Sequence, residues 1–457
     1  MMIRTIILLL FCTQAFAANY CVGPSASGSG SGADWSNQKA WTDTPARGDT
    51  WYLRAATNYA SKTFAAALSG TTLITIKKAM TNDHVTATGW SDWMGGQAVL
   101  LPTIRVNTGY YVFNGGYRDE SNAPYSWTNR AAYGFLLTNS ASSTTDDQQM
   151  WITSPSYGSP STAASHVVVS NMAVIAVYSS LNSGAIRRYS MDCDTGDNST
   201  IHNNLLFSRM WIDGGNQHWF LRQTDGAIVE YSASTRCGSS PANHGENVNL
   251  YFTSDNAVIR YNWFFNNFND SPGYSSGGTA VIALTQSDNA KIYGNVFQIF
   301  FVGDAVAGFI GGSGSGSVFY NNTVVGGIGA SACGVQFGSS GSVIENNIFL
   351  DNSQSPSFTA GTRNYNAYSD GTHSESQGQG NLTTAVFVDY PDDLRQDAHT
   401  TAGITLSSPY TEDMLGTARG TDSVWDRGAF QYDPTPPAVT NLTITGQVSI
   451  TGKVTLQ

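Results

Sequence analysis

The chain has 457 residues, of which 12% are charged and 12% aromatic. Ordinary soluble domains carry roughly 25% charge, and low charge with abundant aromatics excludes a disordered polyelectrolyte. A net charge of −11 excludes a nucleic-acid binder built on a basic face.

Arg4 precedes an apolar run from Ile6 to Cys12, followed by Thr13-Gln14-Ala15-Phe16-Ala17. A positive start, a short apolar run and an A-x-A site predict a signal peptide over residues 1–17. The run is too short to span a bilayer, so a secreted protein without membrane insertion is expected: extracellular, periplasmic or on the cell surface. Cleavage leaves Cys21, Cys193, Cys237 and Cys333, for which three disulfide pairings are open.

Residues 18–150 are rich in Gly, Thr and short apolar runs, without a clear repeat. Self-similarity dominates residues 151–363. Asp255-Asn256-Ala257-Val258-Ile259-Arg260-Tyr261-Asn262 resembles the octads 288–295, 225–232 and 197–204, with looser copies ending at Asn171, Asn322 and Asn347. The octads close at 171, 204, 232, 262, 295, 322 and 347, which are 33, 28, 30, 33, 27 and 25 residues apart. Three before each close stands an apolar residue: Val168, Ile201, Val229, Ile259, Ile292, Phe319, Ile344. The next residue is usually polar or amphipathic, as in a strand with one buried face. Asn and Gly near the close suit a bend with positive φ. Short strands flank the octad on both sides, with no helical period. One such coil cannot bury its own face, so the coils must stack into one long core. The expected fold is all-β: a right-handed parallel β-helix, with coils of about 25–33 residues. Residues 18–150 are expected as irregular N-terminal coils, 151–363 as regular coils and 364–432 as degenerate C-terminal coils. Asp433-Pro434-Thr435-Pro436-Pro437 opens a stiff linker. The β tail after it completes the segment 433–457 and offers strands for self-association.

Several segments carry a resemblance. Asn19-Tyr20-Cys21-Val22 leading to Asp34-Trp35, then Gly48-Asp49-Thr50-Trp51-Tyr52-Leu53-Arg54, resemble the opening of secreted β-helix proteins. Asp426-Arg427-Gly428-Ala429-Phe430 is similar to their final coil. Residues 19–432 thus resemble the pectate-lyase-like superfamily, whose fold hosts lyases, hydrolases, epimerases and adhesins.

The resemblance implies a site on the outer face of the first strand of each coil. Three consecutive coils hold the scarce ionisable groups there: Arg188, Asp192 and Asp194; then His218, Trp219 and Arg222; then His244 and Glu246. His244-Gly245-Glu246 resembles the His-x-Glu of polysaccharide-active β-helices, where the Glu binds calcium or acts in acid–base work. Elimination next to a uronate needs a base and a cation, here His244, Arg222 and Ca2+ on Glu246. Inverting hydrolysis needs two carboxyls, available in Asp192, Asp194 and Glu246. Arg188, His218, Trp219, Tyr251 and Arg260 are the expected substrate contacts. The calcium-dependent lyases carry a Lys base at the end of a first strand; nine residues before the corners stand Thr195, Gln223, Thr253 and Gln286. The expected protein is a carbohydrate-active one that cleaves an extracellular polysaccharide by β-elimination or hydrolysis. The alternative is a non-catalytic adhesin or glycan-binding matrix protein.

Overall fold

The computed structural model describes residues 17–434 except 139–146, 154–162, 177–187, 195, 198, 238–244, 266–279, 300–309, 313, 327–333, 336–340, 351–356, 359–360 and 372. The expected signal peptide up to Phe16, the tail beyond Pro434, Cys333 and His244 lie outside the described residues.

Three long, all-parallel sheets of 13, 11 and 10 strands run the length of the described chain. Each coil contributes a strand to the 10-stranded, then the 13-stranded, then the 11-stranded sheet, as Gln217–Arg222, Ile228–Glu230 and Ala233–Thr235 do. This is a parallel β-helix. Residue Val229 stacks on Ile259, then Ile292, Phe319 and Ile344, all buried in the main core. The expected octad register therefore holds across these five coils. It fails in two earlier ones. Val169, not Val168, is the inward residue, and it pairs with Phe207. Ile201 is 42% exposed, and the strand of its coil is Leu206–Ser208. These coils lack the buried Asn that marks the later ones, so local Asp-Asn similarity misplaced them.

That Asn has another task than bending the chain. The positive-φ residue is the one before it: Tyr261, Gly294, Asn321, Asn346 and Tyr365. The Asn side chain turns inward and bonds to the next coil. Asn262 Nδ2 donates to Asn295 Oδ1 at 3.0 Å, Asn295 to Asn322 at 3.0 Å, Asn322 to Asn347 at 3.1 Å and Asn347 to Asn366 at 2.9 Å. The last amide donates to Glu375 Oε1 at 3.0 Å. All five Asn are fully buried, so each amide must find its partners within the protein. Beside this ladder, Phe264, Phe297, Phe319, Phe349 and Tyr368 stack coil upon coil.

The ends of the core are covered. Trp41 packs edge-on against Trp51, Tyr59 and Phe64 below the first coils. After Ala367–Tyr368, the chain runs back along the outside. Leu394, Met414, Ala429 and Phe430 join Trp127, Tyr133, Tyr261, Trp263 and Tyr293 in a second buried cluster. Contacts of this strap reach the N-terminal half, where Leu394 N donates to Tyr125 Oη at 2.6 Å. Cys21, Cys193 and Cys237 are buried thiols. Among the described residues, no helix is long and apolar enough to cross a membrane.

Candidate functional site

The site is built on four neighbouring strands of the 10-stranded sheet: Asp147–Ile152, Arg188–Cys193, Gln217–Arg222 and Glu246–Tyr251. Their register aligns three outward rows. The first holds Gln148, Tyr189, Gln217 and Glu246. The second holds Arg105, Trp151, Asp192, Phe220 and Asn249. In the third, Asp194 follows the end of its strand and reaches Arg222, which pairs with Tyr251. Between the first two rows, two successive positions face inward on each strand. Val281 and Ile282 are both core residues on the next strand, and the ladder skips the position occupied by Gln149, Ser190, His218 and Asn247.

Asp192 is the chemically distinctive residue. It is only 4% exposed. Burial pushes its carboxyl well above the ordinary range, and the neighbouring Asp194 pushes it further. A hydrogen bond with Gln148 and the charge of Arg222 oppose this without cancelling it. Its Oδ1 has no hydrogen-bond partner, and neither has Asn249 Oδ1 in the same row. Asp194 is held differently: Arg222 Nη1 donates to Oδ2 at 3.2 Å, and Gly196 N donates to Oδ1 at 2.7 Å. Two carboxyls on one face thus differ in their surroundings: Asp192 is buried with its pKa raised, and Asp194 is ion-paired to Arg222.

Aromatic rings border this dyad. Tyr189 stacks on Phe220 with centroids 5.1 Å apart, and Phe220 tilts against Tyr251 at 5.7 Å. The Arg222 guanidinium lies 5.2 Å from the Phe252 ring. One coil away from Asp192 stands Trp151, whose ring is covered by Arg105 at 4.1 Å from the coil beyond.

The structure brings Asp192, Asp194, Arg222 and Tyr251 together as expected candidates. Arg188 opens the strand that carries Asp192. Others are corrected. Trp219 is a core residue, aligned with Met191 and Val248. Its position differs from Arg222 by an odd number, so the two face opposite ways in a strand. His218 also turns inward, and its Nδ1 shares a 2.6 Å hydrogen bond with Ser234 Oγ. Plain alternation back from Arg222 would place it outside; the inward pair of positions reverses it. Arg260 belongs to the 13-stranded sheet, where it bonds Glu230 at 2.5 Å and Tyr293 Oη at 3.0 Å. Glu246 does not join Arg222. It pairs with Gln217, five residues or about 16 Å along the strand from Arg222. Glu246 is 2% exposed, and Gln217 Nε2 donates to its Oε2 at 2.5 Å. Among the described residues, no three His, Cys, Asp or Glu side chains converge as a metal-binding group. Gln217 is the described hydrogen-bond partner of Glu246, and no step is derived through a calcium ion. Sequence reading missed Tyr189, Phe220, Asn249, Trp151 and Arg105. Aligning the three strands on Asp194, Arg222 and Tyr251 would have found the middle row.

No protein-family model matches the sequence, and no curated protein does. Among solved structures, the chain is similar to pectate lyase Pel9A, at 17% identity and a TM-score of 0.52 over 91% of this chain and 96% of that one. This likeness shows the fold, a right-handed parallel β-helix. Weaker likenesses are to XylC in complex with xylose, at 10% identity and TM-score 0.41 over 90% of this chain and 98% of that one. The alginate lyase AlyGC follows, at 11% identity and TM-score 0.36 over 83% and 55%. At those scores neither bears on chemistry.

Proposed function

We propose that the protein is an exported, carbohydrate-active enzyme that hydrolyses a glycosidic bond over Asp192 and Asp194. One observation carries this reading: a buried carboxyl whose pKa burial pushes well above the ordinary range, beside a second carboxyl ion-paired to Arg222. Asp192 supplies its proton to the leaving glycosidic oxygen. Asp194 accepts a proton from the attacking water, whose oxygen bonds to the anomeric carbon as the glycosidic bond breaks. Arg222 orients Asp194 through their ion pair. The likeness to a pectate lyase supports a glycan as ligand, and the leader-like N-terminus supports export.

The test is a panel of neutral and uronate glycans, scored separately for new reducing ends and for the unsaturated ends that elimination leaves. Hydrolysis predicts reducing ends alone, unaffected by EDTA, and a fall of at least about 10²-fold in Asp192→Asn. Unsaturated products would establish elimination instead. Binding without cleavage would establish the adhesin.

A further inference from the structure

We infer that Phe252 is a positioning residue of this site: one coil is a residue longer at its corner, and the longer corner sets an aromatic ring that holds the Arg222 guanidinium on Asp194. The inference rests on the reading above, because it names what fixes the geometry of the same ion pair.

Arg222, Tyr251 and Thr285 are register partners on three consecutive coils of the 10-stranded sheet. Ile228, Val258 and Lys291 are the register partners that open the next strands of the same coils. The chain takes six residues from Arg222 to Ile228 and six from Thr285 to Lys291, but seven from Tyr251 to Val258. Directly after the strand, the two flanking coils each have one left-handed residue, Gln223 with φ 54° and Gln286 with φ 59°. The longer coil has two in succession, Phe252 with φ 48° and Thr253 with φ 57°. A β-branched residue with positive φ is a genuine outlier. Such strain persists only where the surrounding structure fixes it, and it gathers at functional sites. Here the ladder fixes it: Phe252 N donates to Thr285 O and Thr253 N to Gln286 O, each at 3.0 Å.

The longer corner places a ring beside the ion pair. Phe252 stands edge-on to Tyr251, with centroids 4.4 Å apart and planes at 90°. The Arg222 guanidinium lies 5.2 Å from the Phe252 ring and 5.9 Å from the Tyr251 ring. A guanidinium within about 6 Å of a ring is attracted by the negative face of its π-system. Two rings of the following coil therefore hold Arg222 from one side, while its Nη1 donates to Asp194 Oδ2 at 3.2 Å on the preceding coil. Arginine has much rotamer freedom to lose when it is held in one geometry, and the rings offset that loss before any ligand arrives. The flanking coils carry Gln223 and Gln286 directly after the strand, and neither supplies a ring. Phe252 acts through Arg222 and not on the reacting atoms.

The experiment uses the full chain and two variants: Phe252→Leu, which keeps apolar bulk, and deletion of Phe252, which restores the six-residue corner. Phe252→Tyr, which keeps the ring, is the conservative control. Modification by phenylglyoxal, followed at the Arg222 peptide by mass spectrometry, reads the hold on the guanidinium without any substrate. We expect Arg222 to react at least about threefold faster in both variants than in the wild type, and at the wild-type rate in Phe252→Tyr. The deletion should keep or raise the thermal midpoint, because it removes a strained residue. On a glycan that the wild type cleaves, Phe252→Leu should lower kcat about tenfold with KM little changed, and should add nothing in an Arg222→Ala background. Equal Arg222 reactivity in the wild type and both variants overturns the inference, and so does a loss of kcat that adds in full to that of Arg222→Ala. A deletion with a lower midpoint and wild-type Arg222 reactivity would make Phe252 a residue of stability alone, which also overturns it. Absence of cleavage by the wild type overturns the hydrolytic reading and leaves the modification rates to decide the role of Phe252.

Discussion

At the scale of single residues, protons decide two measurable behaviours. Asp192 has its native pKa raised by burial and by Asp194. Unfolded, its carboxyl ionises near 3.9. Between these two values folding takes up a proton, so stability contributed at low pH is lost as pH rises, at about 1.4 kcal/mol per unit. Asp192→Asn removes that loss. Its thermal midpoint should match the wild type near pH 4 and exceed it increasingly toward pH 7; a constant difference would disprove the raised pKa. Hydrolysis by the wild type should fall as pH climbs through the same native pKa, because the proton to be donated is gone. His218 runs the other way. Burial lowers its pKa to about 3, against about 6.5 unfolded. It contributes stability above pH 6.5 that drains away as pH falls toward 3, by up to several kcal/mol. Chemical denaturation of His218→Asn between pH 7 and 4 should show a shallower acid decline than the wild type.

At the scale of elements, what could be read from sequence depended on whether inward and outward positions alternate without interruption. Ile259 sits in an uninterrupted part, and its stacking between Val229 and Ile292 was legible from the octads alone. Ile259→Ala should cost about 2–5 kcal/mol, measured by urea denaturation. A loss below about 1 kcal/mol would contradict the register. The strands of the 10-stranded sheet were not legible in the same way. Two inward positions in succession, shown by Val281 and Ile282, break the alternation and hide the facing of His218. Nor does local similarity show that Glu246 stands at the far end of its strand from Tyr251, the partner of Arg222. The cluster of ionisable groups on adjacent coils was visible; which of them share a row required pairing.

At the scale of the molecule, the strap over residues 382–432 binds coils that are far apart in sequence. Tyr261 Oη donates to Glu412 O at 3.3 Å, Ala429 N donates to Thr323 Oγ1 at 2.9 Å, and Arg427 Nη1 donates to Asn366 O at 2.8 Å. A chain ending at Asp433 keeps the whole strap and should fold with an unchanged thermal midpoint. A chain ending at Asn381 leaves Trp127, Tyr261, Trp263 and Tyr293 without their cover. It should bind a hydrophobic dye and lose its cooperative thermal transition, because an apolar patch of that size is unstable in water. Failure of the longer chain to fold would mean that residues beyond 433 support the helix.

The asparagine ladder also gives the molecule an adjustable length. Asn295, Asn322 and Asn347 each donate an amide N–H to the following rung and accept one from the preceding rung. Each rung is therefore interchangeable with its neighbours, whereas the terminal carboxylate of Glu375 is not. A whole coil carrying its own asparagine could be inserted or deleted between these ends and the amide chain would close again. The dyad of Asp192 and Asp194 precedes the first rung in the chain. Elongation of this kind would leave the chemistry in place while lengthening the surface over which a polymer is held.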